Sequence, residues 1–308
     1  MPIVSGVELR SAAIHMLGSI LPFPSHFGNL PIKEIIPRKK ELDNTTNGDI
    51  TFADLQIRVL DLLFNAIRVE SESKNVQHLL AGLMFLVLDF AKREENNDMS
   101  GQNTAENRDV QGPGKDSARV VFVNATHLVC HRLIASWCTD LNTSLAALEL
   151  LAGLARTSIP RRGALECKRT VKWLCDFVVQ QCNRPPREHS KDLHSSIVAA
   201  FFCCRTWILH HPYLLQDKEC IGTVMEVIEL GISGSKSAPK VSSSDSGTFS
   251  QSSGGKMKEE KILSPASRRV KDAAESLLIT LLEQVDQMPL LRNMGKCQLP
   301  NGLHSKST

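Results

Sequence analysis

Apolar positions along much of the chain recur at intervals of three, four and seven, which places them on one side of a helix, and no stretch alternates apolar and polar residues between hairpin turns. The clearest block is "TFADLQIRVLDLLFNAIRVE", residues 51–70. There Leu55, Val59, Leu62 and Ala66 share one face, and Thr51 and Asp54 stand at capping-box spacing. The same reasoning predicts helices over about 8–21, 51–70, 75–90, 117–138, 143–156, 166–183, 191–211, 217–231 and 265–286. The few residues between the second and third favour antiparallel neighbours. In "NTSLAALELLAGLAR", Ala146, Ala147, Ala152 and Gly153 leave little bulk between rows of leucine, so a second helix can approach closely and more than one side is buried. The expected fold is all-α: an α-solenoid of HEAT/armadillo-like antiparallel helix pairs, without a tight ankyrin or tetratricopeptide consensus.

Three polar stretches interrupt the pattern: Asn29 to Asp49, Asn96 to Ser117, and Ser233 to about Lys261. The third is rich in Ser and Gly and nearly free of apolar residues, a composition that cannot offset the entropy of ordering. It ends at Ser264 and Pro265, an N-cap and a first helical residue, after which Val270, Ala274, Leu277, Leu281 and Val285 resume the stripe. The expected organisation is a helical-repeat domain over 1–232 with flexible loops near 29–49 and 96–117, a disordered linker at 233–261, a terminal helix at 262–288 and a disordered tail at 289–308.

Charge and composition narrow the function. With 36 Lys and Arg against 33 Asp and Glu, the 308 residues carry a formal net charge of +3, too balanced for binding phosphate backbones through bulk electrostatics. One tyrosine and three tryptophans leave few rings for stacking on bases, so no nucleic-acid partner is expected. Nine cysteines with no Cys-x-x-Cys pair read as reduced thiols, and a cytoplasmic location is expected. The N-terminal stretch lacks a basic region ahead of its apolar part and is interrupted by Arg10 and His15, so it reads as a helix and not a signal. The longest uncharged apolar run, Leu79 to Leu88, is half of the roughly 20 residues a membrane span needs, and no span is expected.

Several clusters contain chemically competent side chains. "EHSKDLHSSIVAAFFCCRTWILHHP" holds four histidines and adjacent cysteines, but on a helix Ile197, Phe201, Cys204 and Ile208 fall on a core face. Cys203 and Cys204 then diverge, His189 and His194 would point to nearly opposite sides if both were helical, and His210 and His211 close the helix before Pro212. His127 and His131 are one turn apart with Cys130 nearby, but Leu128 occupies the place where a zinc protease needs its glutamate. Cys175 and Cys182 stand about two turns apart, too far to share an ion. "GISGSKS", 231–237, lacks the Gly-Lys-Ser order of a phosphate loop and follows a helix, so Gly231 and Gly234 read as helix stops. "IPRR" at 159–162 and "ASRR" at 266–269 read as solvated helix ends. No catalytic, cofactor-binding or metal-ligating residue is assigned, and no cofactor is expected.

Beyond these readings, six blocks in order along the chain, "ELRSAAIHMLGSILPFPSHFG", "TFADLQIRVLDLLFNAIRVE", "SLAALELLAGLA", "QCNRPPREHSKDLHSSIVAAFF", "VMEVIELGISGSKS" and "PASRRVKDAAESLL", resemble the Ral GTPase-activating protein complex, its non-catalytic beta subunits in particular. The last three blocks are the more specific, because they include polar loop residues that a generic helix does not dictate. The resemblance implies a central piece of a longer helical-repeat subunit, present here as a fragment, a truncated isoform or an incomplete coding sequence. It also implies pairing with a catalytic alpha subunit, so that a Ral-type small GTPase is acted on only indirectly. In that family the activating asparagine lies in the C-terminal domain of the alpha subunit; nothing here resembles that domain, and no catalytic residue carries over.

Two alternatives stay open at this level. One is a HEAT-like adaptor for an unrelated partner; the other is a metal-stabilised helical domain built on His127, Cys130 and His131. The architecture makes its own expectation: removing the ring of Phe201 is costly, whereas removing that of His211 costs little.

Overall fold

A computed structural model describes residues 5–32, 50–99, 117–159, 163–233 and 264–294. The stretches anticipated as flexible or disordered lie largely outside these residues, as do Gly234 to Ser237, the end of "IPRR", and Cys297. The chain divides into two compact units, Met1–Phe177 and Val178–Thr308.

In the first unit, helix α1 (Gly6–Ile20) opens on a capping box: the Ser5 hydroxyl accepts from the Glu8 N–H, and the Glu8 carboxylate accepts from the Ser5 N–H at 2.9 Å. A short helix, α2 (Phe23–Phe27), ends at Gly28, whose φ of 55° suits a residue without a Cβ. An isolated antiparallel bridge between Pro31 and Thr51 then brings the chain to α3 (Leu55–Val69). Three residues connect it to α4 (Ser73–Met99), so the two run antiparallel. Next come α5 (Ala118–Arg132), which widens into a π turn at Leu133–Trp137, α6 (Leu141–Arg156), and α7 (Ala164–Cys182), whose last residues fall in the second unit.

Helix α4 is central, packing against α1, α3, α5 and α6. Its Val76, Leu79, Leu83, Leu86 and Val87 are essentially inaccessible, which is why this apolar run is core. Helix α6 is buried on more than one side, as its leucine rows predict, with Ala147, Leu148, Leu150, Leu151, Leu154 and Ala155 all covered. The close approach expected at its small residues occurs: a Cβ on Gly153 would stand 3.0 Å from the Met84 methyl of α4.

The face of α3 differs from the expected one. Val59 is buried, but Leu62 is 58% exposed and the core face is carried by Leu60, Leu63, Phe64 and Ile67. The capping geometry differs too. Asp54 turns its carboxylate back to the Thr51 N–H and hydroxyl, so the pair closes a turn ahead of the helix and does not cap it.

The second unit contains α8 (Lys191–His210), α9 (Lys218–Ser233) and α10 (Pro265–Met294), with α10 packed on both of the others. On α8 the predicted face is the observed one: Ile197, Phe201, Cys204 and Ile208 are at most 2% exposed. Ser264 caps α10 by accepting from the Ser267 N–H at 3.1 Å. Val270, Ala274, Leu277 and Leu281 form its buried seam, while Val285 is exposed. The tightest contact is at Gly231 of α9, where a Cβ would lie 2.7 Å from both the Ala274 Cβ and the Phe201 ring. This glycine therefore sits within a helix and sets the close approach of α8, α9 and α10; it is not the helix stop expected. The fold is all-α, and each unit is a stack of helices of the α-solenoid kind.

Candidate functional site

The cysteine and histidine clusters resolve into separate environments. Cys130 turns into the core, and burial pushes its thiol far above the ordinary range. His127 and His131 stay exposed on the same helix with ring centroids 6.4 Å apart, and His127 lies edge-on to Trp173 at 5.2 Å. The three residues are thus not brought together around one point. Among the described residues no group of three or more His, Cys, Asp or Glu side chains is placed to hold a metal ion.

His189 precedes the N-cap Ser190 and is not helical, so the condition for opposite directions is not met, and its ring meets that of His194 at 5.6 Å. His211 does close α8, but it is 8% exposed, packed against Trp207 at 5.3 Å and Tyr213 at 5.6 Å. The helix end is covered by the 3-10 turn Pro212–Gln216, whose Leu214 and Leu215 are buried.

The most elaborate polar centre of the first unit was not legible as a site. Glu70, 4% exposed, follows α3 and takes an Arg10 guanidinium at 2.9 Å, the Ser71 and Glu72 N–H groups each at 2.9 Å, and the Asn75 amide at 3.3 Å. Its own carbonyl accepts from Arg132 at 2.9 Å, and that guanidinium lies over the Trp137 ring. Burial alone would raise its pKa, but the donors from Glu72, Arg10, Ser71 and Asn75 outweigh it and hold the carboxyl down at about 2, from an ordinary 4.5. One residue, through its carboxylate and its backbone carbonyl, thereby fastens α1, the α3–α4 turn and α5. A neighbouring lock joins the start of α4 to α6: Ser73 donates to Asp140, which also accepts from the Thr143 N–H. Both are structural fastenings, since each carboxylate is engaged by the protein's own donors.

What remains accessible is apolar surface and shallow clefts. Between α4 and α6 lies a groove of about 520 Å³ lined by Leu80, Met84, Leu150 and Gly153, with Glu149 and Arg156 at its polar margin. In the second unit Met225 of α9 and Ile279, Leu282 and Val285 of α10 are 41–56% exposed. A separate cleft of about 230 Å³ is lined by Cys182, His189, His194, Ser267 and Lys271 over an apolar floor. No helix among the described residues is long and apolar enough to cross a membrane.

These features define an all-α protein of stacked helices, with its polar side chains used to fasten helices together and apolar helix faces left open to solvent. Over 93% of its length the chain is similar to Ral GTPase-activating protein subunit beta, with 35% identity to the mouse protein and 34% to the human one. The chain is a relative of these beta subunits and spans about one fifth of their length, 21% in each case. Over 77% of its length it is also 24% identical to a Rap-GAP domain-containing protein of Dictyostelium discoideum, of which it covers 15%. No protein-family model matches the chain. No solved structure matches it either.

Proposed function

We propose that the chain is a non-catalytic scaffold in a Ral GTPase-activating protein complex, binding a catalytic alpha subunit and supporting activation of a Ral-type GTPase without touching the nucleotide. The observation that carries this reading is the similarity to beta subunits over nearly the whole chain. The structure supplies a physical basis for docking. Side chains such as Ile279, Leu282 and Met225 leave apolar area in water, and covering it returns roughly 25 cal/mol per Å² before the costs of association. Rigid stacked helices also present such faces with little ordering cost on binding. In this reading the chain works in the cytoplasm.

Co-elution tests the proposal. The purified chain mixed with alpha subunit is expected to leave a sizing column as one species, and Leu282→Glu with Ile279→Glu on α10 should weaken that association at least tenfold. Separate elution at micromolar concentrations of both proteins would overturn the assignment.

A further inference from the structure

The cleft of the second unit has a composition that the scaffold role does not use. Its lining brings His189, His194 and Lys271 together with the Ser267 hydroxyl and the half-buried Cys182, and includes no carboxylate. Each imidazole has one nitrogen engaged by a backbone carbonyl: His189 Nε2 lies 2.9 Å from the Arg184 oxygen and His194 Nδ1 lies 2.7 Å from the Ser190 oxygen. A carbonyl only accepts, so both nitrogens are donors, and His189 Nδ1 and His194 Nε2 carry the second position of each ring. Lys271 is held at 3.7 Å by the half-exposed Glu275, and Arg184 by Glu188 at 3.8 Å; these are loose pairs that a stronger anion can displace. Burial pushes the Cys182 thiol up to about 11, so no thiolate opposes an incoming anion at neutral pH.

An anion source stands at the mouth of this cleft. Ser264 is exposed, is followed by the exposed Pro265, and holds its Oγ 3.0 Å from the Oγ of Ser267, which lines the cleft. Arg268 and Lys271 follow at four and seven positions along α10, and Lys271 lies one turn beyond Ser267 on the same face, where side chains lean back toward the helix start. A group added to the Ser264 oxygen therefore arrives beside cations already in place.

We propose that Ser264 is a phosphorylation site and that its phosphate seats at this cleft against Lys271 and the His189–His194 pair, fastening the first turns of α10 to the start of α8. The donor is ATP and the catalyst a proline-directed serine kinase. The Ser264 Oγ forms a bond to the γ-phosphorus, the bond from that phosphorus to the β,γ-bridging oxygen breaks, ADP leaves, and the serine proton passes to the kinase base. The product places close to two negative charges, with three acceptor oxygens, beside Lys271, which exchanges its loose pairing with Glu275 for the phosphate, and beside two imidazoles whose second nitrogens donate to it once protonated.

The test uses the full chain, MgATP and a proline-directed kinase, read by peptide mass mapping and by phosphorus NMR against pH. One phosphate is expected on Ser264 and is lost in Ser264→Ala. The second ionisation of a free phosphoserine falls near pH 6; here it should be about tenfold more acidic, and Lys271→Gln or His194→Gln should return it toward the free value. Both variants lie at the solvent edge of the cleft, and circular dichroism confirms that they keep their helix content. Failure of the folded chain to take phosphate on Ser264 would overturn the proposal, as would a phosphate that titrates identically in the parent and in Lys271→Gln.

Discussion

Phe201→Ala should lower the unfolding free energy by about 3–5 kcal/mol. The ring is fully buried on α8 and touches the ground where α9 and α10 come closest. Gly231 and Ala274, its neighbours there, have no side-chain length with which to fill the space the ring leaves, so the cavity persists and the upper part of the range applies. Denaturant titration followed by circular dichroism gives the value. Phe202→Ala is the internal control: one residue along, the side chain has turned about 100° and is 47% exposed, so its loss should stay within about 0.5 kcal/mol. Equal losses for both would mean that α8 is packed on a different face. His211 is not a second control, because its ring is packed between Trp207 and Tyr213.

The second large effect is expected at Glu70. Glu70→Ala removes the acceptor for two N–H groups and the Asn75 amide, a loss of about 2–3 kcal/mol; Arg10, half exposed, can return to water and adds little. The carboxyl also makes stability depend on pH with a definite sign. Its pKa is lower in the folded chain, about 2, than the ordinary 4.5, so the unfolded chain binds the proton more tightly. The stabilisation is complete above about pH 4.5 and is lost as pH falls from there to about 2. Thermal unfolding across that window should show a steeper acid decline in the parent than in Glu70→Ala. Parallel declines would show that the carboxylate is not fastened as described.

How much of this was readable without coordinates follows from the kind of interaction involved. The seam of α10 was legible because it is a single stripe, and a one-residue shift would turn Lys271 and Glu275, or Arg269 and Ser276, inward. On α8 the predicted residues are buried, but Ser196, Ala200, Cys203 and Trp207 one position earlier are buried too, so the stripe is part of a broader covered face. Helix α3 was misassigned because apolar residues surround more than half of it. Leu55, Val59, Leu62 and Ala66 satisfy the spacing as well as Leu60, Leu63, Phe64 and Ile67 do, and only the position of α4 decides between them. The Glu70 centre could not be read, since it gathers residues as distant in sequence as Arg10 and Arg132. Its local part does leave a trace: an acid directly ahead of the next helix, with Asn75 five positions on. The start of α8 was legible: the helix predicted from residue 191 begins there, with the Ser190 hydroxyl accepting from the Leu193 N–H, which leaves His189 ahead of the helix.

Single-turnover phosphate release from GTP-loaded Ral decides whether this chain, in the role proposed for it, assists catalysis or performs it. With the chain alone, even in large excess, Ral's own slow hydrolysis should be unchanged, and acceleration should require the alpha subunit. An increase of roughly tenfold or more from the chain by itself, over 1 kcal/mol off the barrier, would contradict the account.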